Sequence, residues 1–165
     1  MSVAQGPIAS ETSGLLVDTN LLVLFTVGSV NVNRIGTFKR TNKYTIEDFD
    51  LLVRVLGRFK TLYTLAHVLS EVSNLTDLPG LERQRARQVL KRTIAELTES
   101  EISSFRASED ASFPKLGLVD AAISAVARQR KCTVLTDDLD LYLSLARDRV
   151  SVLNFAHLQA SSWGL

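Results

Sequence analysis

Short β-prone runs alternate along the chain with longer segments in which apolar residues recur every three or four positions. The short runs indicate strands, while recurrence at helical spacing indicates a helix with one buried face. The predicted strands are 14–18, 61–64, 133–136 and 150–153. The predicted helices are 21–27, 46–58, 66–76, 81–97, 118–130 and 139–146. This alternation predicts an α/β fold, in three α/β/α layers with a mainly parallel central sheet.

Two stretches interrupt this pattern. Residues 28–45 are polar and basic, and we predict an extended connection there, with room for a short strand. Residues 101–116 are mixed in character and are broken by Pro114. A chain of 165 residues, 45% of them apolar, fits one folded domain. We place that domain at 14–158, between a flexible N-terminal tail at 1–13 and a C-terminal tail at 159–165.

The composition excludes several kinds of site. A single cysteine, Cys132, rules out an intramolecular disulfide and a cysteine-based zinc site. The two histidines, His67 and His157, are too distant in sequence to make a good ligand pair. The first residues do not resemble a secretory signal, and no uncharged apolar run is long enough to span a membrane. We therefore expect a cytoplasmic protein without a membrane partner.

Basic residues concentrate in two stretches, although the formal net charge is only +1. The first stretch contains Arg34, Lys39, Arg40 and Lys43, and the second lies at 83–92. Cations at this density either contact phosphate groups or simply keep a surface solvated. The pattern alone leaves both interpretations open.

Acidic residues occur where predicted strands end. Asp18 ends the first strand, and Asp137, Asp138 and Asp140 follow the strand at 133–136. The carboxyl ends of parallel strands meet at one edge of a sheet, and ligands bind there. Each of these acids is also a suitable helix N-cap, so each position has a purely structural interpretation as well.

Two further acids have comparable positions. Glu71 lies at the rim of the buried face of its helix, and Asp120 lies in the first turn of an apolar helix. Alone, Glu71 is a surface charge and Asp120 a favourable first-turn acid. Gathered at one sheet edge, these acids cannot all ionise unless a cation offsets their charge. Oxygen ligands without cysteine or histidine favour Mg²⁺ or Mn²⁺, which polarise phosphodiesters for attack by water.

Four segments resemble, in order, the motifs of the PIN domain family. They are LLVDTN at 15–20, HVLSEV at 67–72, LVDAAI at 118–123 and VLTDDLD at 134–140. The resemblance spans residues 14 to about 155. It implies the fold of that family, a Mg²⁺- or Mn²⁺-dependent endoribonuclease activity, and RNA as a partner. The family includes the toxins of bacterial VapBC-type systems, so an antitoxin protein is a further implied partner.

The resemblance also implies roles for individual residues. The implied catalytic acids are Asp18, Glu71, Asp120 and Asp138. The implied metal ligands are Asp18, Asp120, Asp138 and, as an accessory, Asp140. The implied supporting residues around them are Asn20, Thr136 and Asp137. Of these, Asn20 and Thr136 would orient carboxylates or water, while Asp137 is expected to point outward. The expected RNA contacts are Arg34, Lys39, Arg40 and Lys43.

Other functions and an assembly state also follow from the sequence. Residues 28–45 form a longer connection than the compact toxins of the family have. A PIN-like module that binds RNA or protein without cleavage is the main alternative. A phosphatase of the haloacid dehalogenase type is disfavoured because Asn20 occupies the position of its second aspartate. If the helix face with Ala121, Ala125 and Arg128 is exposed, we expect a homodimer.

Overall fold

The structure of the chain, a computed structural model, describes residues 14–162. The strands are β1 (Leu15–Val17), β2 (Leu62–Thr64), β3 (Thr98–Glu99), β4 (Thr133–Thr136) and β5 (Val152–Asn154). The helices are α1 (Thr19–Val30), α2 (Ile46–Leu56), α3 (Ala66–Leu75), α4 (Leu81–Glu96), α5 (Ser104–Ser108), α6 (Phe113–Leu116), α7 (Leu118–Arg130), α8 (Leu139–Arg147) and α9 (Phe155–Ser162). A short 3-10 helix, Val32–Arg34, follows α1.

The five strands of this range form one sheet in the order β3-β2-β1-β4-β5, and every neighbouring pair is parallel. Leu15 of β1 is in register with Leu62 of β2 on one side and with Thr133 of β4 on the other. Helix α1 packs against α2, α3 and α4, while α7 packs against α5 and α6. The predicted three-layer α/β/α fold with a parallel central sheet is confirmed.

The centre of the sheet is buried along its length. All residues of β1 and β4 are buried, because helices exclude water from both faces of a parallel sheet. Leu15, Leu16 and Leu135 have no exposed surface. Double burial explains why these strands appear in the sequence as continuous apolar runs. It also fixes the positions of the residues that directly follow β1 and β4.

Helix α1 is longer than the pattern predicts. It begins directly after Asp18 and continues past Gly28 to Val30. A Cβ atom at Gly28 would lie 2.3 Å from the ring of Phe49, so glycine at this position permits close packing of α2 on α1. Gly28, which directly follows the predicted helix end, is therefore a packing position inside the helix.

The predicted extended connection at 28–45 is compact and contains no strand. After α1, Asn31 accepts a hydrogen bond from the backbone N–H of Asn33 at 3.0 Å and so caps the 3-10 helix. The side chains of Ile35, Phe38 and Tyr44 are buried, so the connection packs onto the core rather than extending over it. It ends beside the carboxyl edge of the sheet, where α2 begins.

The hydrophobic pattern of the sequence did not predict four short elements: β3, α5, α6 and α9. A strand of two residues and helices of four or five residues are too short to show a period. Helix α9 runs past residue 158, the predicted end of the domain.

The predicted tail at 1–13 and residues 163–165 lie outside the described residues. Within 14–162, no helix has the length and apolar character that a membrane crossing requires.

The small-residue face of α7 is partly covered within the chain. Ala121 is fully buried, and α5 packs against α7. Arg128, at the end of the same face, forms ion pairs with Asp110 and Asp148. Ala125 is half-buried and Arg128 is exposed, so part of this face remains accessible and the homodimer stays a prediction.

Candidate active site

The strand order places a crevice beside β1. Strands β2 and β3 continue the sheet to one side of β1, whereas β4 and β5 continue it to the other. In open parallel sheets, ligands bind beyond the carboxyl ends of the strands at the point where the strand order reverses. Asp18 directly follows β1, and Asp137 and Asp138 directly follow β4, so both turns lie at that point.

An open cleft of about 270 Å³ lies at this edge of the sheet. Four carboxylates line it, and we call them the cleft carboxylates: Asp18, Glu71, Asp120 and Asp138. They come from the β1–α1 junction, from α3, from the first turn of α7 and from the β4–α8 turn. The fold thus gathers side chains that are up to 120 positions apart in sequence.

Asp18 is 4% exposed, and both of its carboxylate oxygens accept hydrogen bonds. Oδ1 accepts from the backbone N–H of Thr19 at 2.7 Å, and Oδ2 accepts from the hydroxyl of Thr136 at 2.6 Å. Burial raises the pKa of Asp18 to about 6 despite these bonds, and the nearby charges of Asp137 and Asp138 add to the rise. Asp18 therefore caps α1 and lines the cleft at once.

Asp138 likewise caps a helix and lines the cleft. Its Oδ1 accepts from the backbone N–H of Leu141 at 3.0 Å, which caps α8. Its own N–H donates to the hydroxyl oxygen of Thr136 at 3.0 Å. Because the Thr136 hydroxyl also donates to Asp18, one threonine ties together the two turns that carry Asp18 and Asp138.

Glu71 and Asp120 complete the lining. Glu71 Oε2 accepts a hydrogen bond from the hydroxyl of Thr19 at 3.2 Å. Burial, together with the charges of Asp18, Asp138 and Glu71, raises the pKa of Asp120 to about 7. Among residues 14–162, no lysine, arginine or histidine forms an ion pair with any cleft carboxylate. The cleft is thus an uncompensated negative site.

The donor chemistry fits a divalent cation. All candidate ligands are carboxylate oxygens, which suit Mg²⁺ or Mn²⁺. As they stand, no three acidic, histidine or cysteine side chains of residues 14–162 are arranged to hold an ion by themselves. Mg²⁺ usually keeps several waters and takes only one or two protein carboxylates. The open cleft therefore fits a hydrated ion better than a dry protein cage.

Sequence comparison agrees with this geometry. The PIN domain family matches residues 40–144, which is more than half of the chain. The chain belongs to the PIN domain family. The matched range includes Glu71, Asp120 and Asp138, and the structure adds Asp18, which precedes that range, to the same cleft. No curated protein matches the chain by sequence.

Asp137 and Asp140 of this PIN domain occupy positions that differ from expectation. The outward orientation predicted for Asp137 is wrong, since its side chain is only 7% exposed. It is held by the hydroxyl of Tyr44, by Lys43 Nζ at 2.7 Å and by Asn20 Nδ2 at 3.4 Å. The reason is the compact 28–45 connection, whose end packs over the β4–α8 turn.

Asp140 does not line the cleft. Its side chain is 66% exposed, and its Oδ1 lies 3.7 Å from Nζ of Lys115. Asp140 is the second residue of α8, whereas Asp138 is the N-cap that precedes this helix. The structure therefore separates the two aspartates that the motif groups together as ligands.

The cations predicted to contact RNA are mostly paired with acids. Arg34 Nε lies 2.6 Å from Glu82, and Lys39 Nζ lies 3.9 Å from Asp77. Lys43 binds Asp137, which lies in the turn that also carries Asp138. Arg40 is exposed and pairs with no acid among the described residues.

Two contributors to this PIN domain site were missed from the sequence. Thr19 donates to Glu71, and Tyr44 donates to Asp137 across 93 positions. Burial raises the pKa of Tyr44, and the charge of Asp137 raises it further, so its hydroxyl stays protonated as a donor. The sequence signal for Thr19 was its place beside Asp18. A lone tyrosine in a polar stretch gave no signal that it would reach this turn.

Proposed function

We propose that the chain is a metal-dependent endoribonuclease that cleaves phosphodiester bonds in RNA. PIN domains are generally nucleases that use divalent metal ions, and this gives the class of chemistry. The observation that carries the proposal is the cleft itself. Four carboxylates face one open space at the sheet edge where ligands bind, and no described cation neutralises them.

The roles of the carboxylates follow from their bonding. Asp120 accepts no side-chain hydrogen bond from a described residue, so its carboxylate is free to bind an ion. Asp18 and Asp138 each use one oxygen to cap a helix, and the other oxygen of Asp18 accepts from the Thr136 hydroxyl. Both side chains line the cleft. We assign these three aspartates to a Mg²⁺ or Mn²⁺ ion, and Glu71 to water that links it to the site.

When bound, a divalent ion polarises the phosphodiester and lowers the pKa of the attacking water. The chain supplies the orientation of the groups around it. Thr136 holds Asp18 and the backbone of Asp138, and Thr19 holds Glu71, so three of the four carboxylates are restrained before substrate arrives. Such supporting hydrogen bonds fix ligand direction and strengthen metal binding.

The RNA contacts are also a proposal. Arg40 is the first choice of the four predicted cations, because it is exposed and has no described acidic partner. Lys39 follows, since its contact with Asp77 is long and both side chains are exposed. Arg34 and Lys43 lie within 2.7 Å of acids and would have to exchange those partners for phosphates.

A finer proposal is that the chain is the toxin of a toxin–antitoxin pair. Its support is the order of the four motifs, which is shared with toxins of this family. An antitoxin would be a separate chain that covers the cleft or its rim. A small gene that overlaps the upstream end of this one would support the assignment, and a solitary gene would count against it.

The experiment that tests the nuclease proposal compares cleavage of an end-labelled RNA by the wild-type protein with Mn²⁺ and with EDTA. Asp18→Asn and Asp120→Asn keep the side-chain shape and remove one negative charge each. We expect EDTA to abolish cleavage and each variant to lower its rate by at least about 100-fold. Asp110→Asn is the matched control, because it alters a buried aspartate outside the cleft.

Equal cleavage by all variants, with or without EDTA, would contradict the proposal. RNA binding without cleavage in every arm would instead support a non-cleaving PIN-like module. A DNA strand of the same sequence, tested in parallel, separates a ribonuclease from a general nuclease, because the 2′-hydroxyl distinguishes the two substrates.

A further inference from the structure

The 28–45 connection reaches the candidate site through its last residues. Lys43 Nζ donates to Asp137 Oδ2 at 2.7 Å, and the hydroxyl of Tyr44 donates to the same oxygen. From the opposite side, Asn20 Nδ2 lies 3.4 Å from Asp137 Oδ1. Asp137 is thus surrounded by donors from two other segments, and it does not line the cleft.

The side chain of Tyr44 is buried in the hydrophobic core. It is 5% exposed, and its ring packs edge-on against the ring of Phe155 at 6.5 Å between centroids. Lys43 Nζ lies 5.0 Å from the centroid of the Tyr44 ring, which adds a cation–π contact. The donors to Asp137 therefore come from a fixed support, since α9 and the connection hold Tyr44 in place.

The bonds on the other side of the same turn lead into the cleft. Asp137 is flanked by Thr136, which binds Asp18 through its hydroxyl, and by Asp138, which lines the cleft. The N–H of Asp138 donates to Thr136, so the turn is closed on itself. A shift of Asp137 would move both neighbours, and with them two of the cleft carboxylates.

We propose that Lys43 and Tyr44 form a latch on Asp137 that positions Thr136 and Asp138 for cation binding. This inference rests on the proposed metal site. Lys43 and Tyr44 are positioning residues, because they touch the turn and not the cleft. The latch also gives the long connection a function, and it assigns to Lys43 a partner other than an RNA phosphate.

The test measures Mn²⁺ affinity rather than catalysis, by the electron paramagnetic resonance signal of free Mn²⁺ over metal-free protein. Tyr44→Phe removes one hydroxyl and keeps the ring packed on Phe155. We expect it to weaken Mn²⁺ binding by about 10-fold, the scale found for groups that orient metal ligands. Tyr63→Phe is the matched control, since the Tyr63 hydroxyl makes no hydrogen bond with a described residue.

Two substitutions of Asp137 separate geometry from charge. Asp137→Ala removes the acceptor of Lys43, Tyr44 and Asn20, so it should weaken Mn²⁺ binding at least as much as Tyr44→Phe does. Adding Tyr44→Phe to Asp137→Ala should cause no further loss, because the Tyr44 hydroxyl then has no acceptor to lose. Asp137→Asn keeps an oxygen that can accept from Tyr44, so it should bind Mn²⁺ nearly as well as the wild type does.

A further control is needed to show that weaker Mn²⁺ binding does not result from a loss of protein stability alone. Thr76→Val removes a buried hydroxyl that donates to Val72 O at 2.9 Å in α3, away from the turn. It should lower the melting temperature without weakening Mn²⁺ binding. If Tyr44→Phe has no more effect than Tyr63→Phe, while Asp18→Asn abolishes binding, the latch is overturned and the metal site stands.

Two other outcomes also overturn the latch. If Asp137→Asn loses as much Mn²⁺ affinity as Asp18→Asn does, Asp137 is itself a metal ligand. Its hydrogen bond from Tyr44 would then be replaced by a bond to the ion. If the wild-type protein fails to bind Mn²⁺ at all, the proposed metal site and the latch fail together.

Discussion

Two groups of acidic side chains in this molecule are wholly or partly buried, but only one group is paired with a described cation. Asp110 and Asp148 share the guanidinium of Arg128, with a contact of 3.1 Å to Asp148 and a close one to Asp110. We call this group the Arg128 cluster. The cleft carboxylates instead face one another across an open space, and no described cation pairs with them.

The pKa values record this difference. Burial alone would raise the pKa of Asp110, but hydrogen bonds from Ser112 and the charge of Arg128 outweigh it and hold that pKa below its usual range. In the cleft, burial and like charges raise the pKa of Asp18 to about 6 and that of Asp120 to about 7. In the Arg128 cluster, the chain supplies the counter-charge. In the cleft, no described lysine, arginine or histidine does so.

The largest effect on stability is expected where the internal counter-charge is removed. Arg128→Met leaves Asp110 buried, with its side chain 5% exposed and without its cation. We expect the free energy of unfolding at pH 7 to fall by about 2 kcal/mol, the scale for an acceptor that loses its partner, reduced because Arg128 is partly exposed. Urea unfolding of the metal-free protein measures this change.

The pH dependence gives the control for that measurement. The folded-state pKa of Asp110 lies below its unfolded value, so its contribution is present above about pH 4 and is lost as the pH falls through the folded value. The difference between Arg128→Met and the wild type should therefore shrink in acid. A difference that stays constant with pH would assign the effect to packing of the arginine stem instead.

The change in stability with pH should have the opposite sign for the cleft carboxylates. Asp120 has a folded-state pKa of about 7 against an ordinary value of 3.8, so the folded state binds the proton more tightly. Stability of the metal-free wild type should fall as the pH rises from about 4 to 7. At pH 7.5, Asp120→Asn should raise the free energy of unfolding by about 1 kcal/mol, after allowance for solvent screening.

Added Mn²⁺ sharpens this second test. An ion that binds only the folded wild type stabilises it by mass action, so Mn²⁺ should restore the wild type and leave Asp120→Asn unchanged. Asp50→Asn, an exposed change on α2, is the control and should behave like the wild type, with no gain in stability without metal and the full stabilisation by Mn²⁺. A destabilised Asp120→Asn in the absence of metal would show that Asp120 stabilises the fold like the acids of the Arg128 cluster.

The comparison also shows how far the sequence could predict the site. Asp18 and Asp138 could be placed at one sheet edge because buried parallel strands leave continuous apolar runs, and their ends define that edge. Helical spacing placed Glu71 at the rim of a buried face and Asp120 in a first turn, but it left both open to a structural role. The order of the four family motifs was needed to group these two acids with Asp18 and Asp138.

The remaining features of the site and fold depend on contacts between residues that are far apart in sequence, which no local pattern can predict. Asp137 was expected in solvent, but Tyr44 reaches it from 93 positions away. The compact form of 28–45 depends on burial of Ile35, Phe38 and Tyr44 against elements that come later in the chain. Helix α9 and the two-residue β3 are too short or too weakly periodic to predict. The metal ligands remain predictions.

The smallest effect is expected at Asp140, which belongs to neither group. It was predicted as an accessory ligand, yet its side chain is 66% exposed and faces Lys115 across 3.7 Å. An exposed pair of this kind contributes little energy, so Asp140→Asn should change RNA cleavage and Mn²⁺ affinity by less than about threefold. Lys115→Met, which breaks the same pair from the other side, should be equally mild. A loss as large as that of Asp120→Asn would show that the first turn of α8 rotates toward the cleft when the ion binds, and Asp140 would then count among the cleft carboxylates.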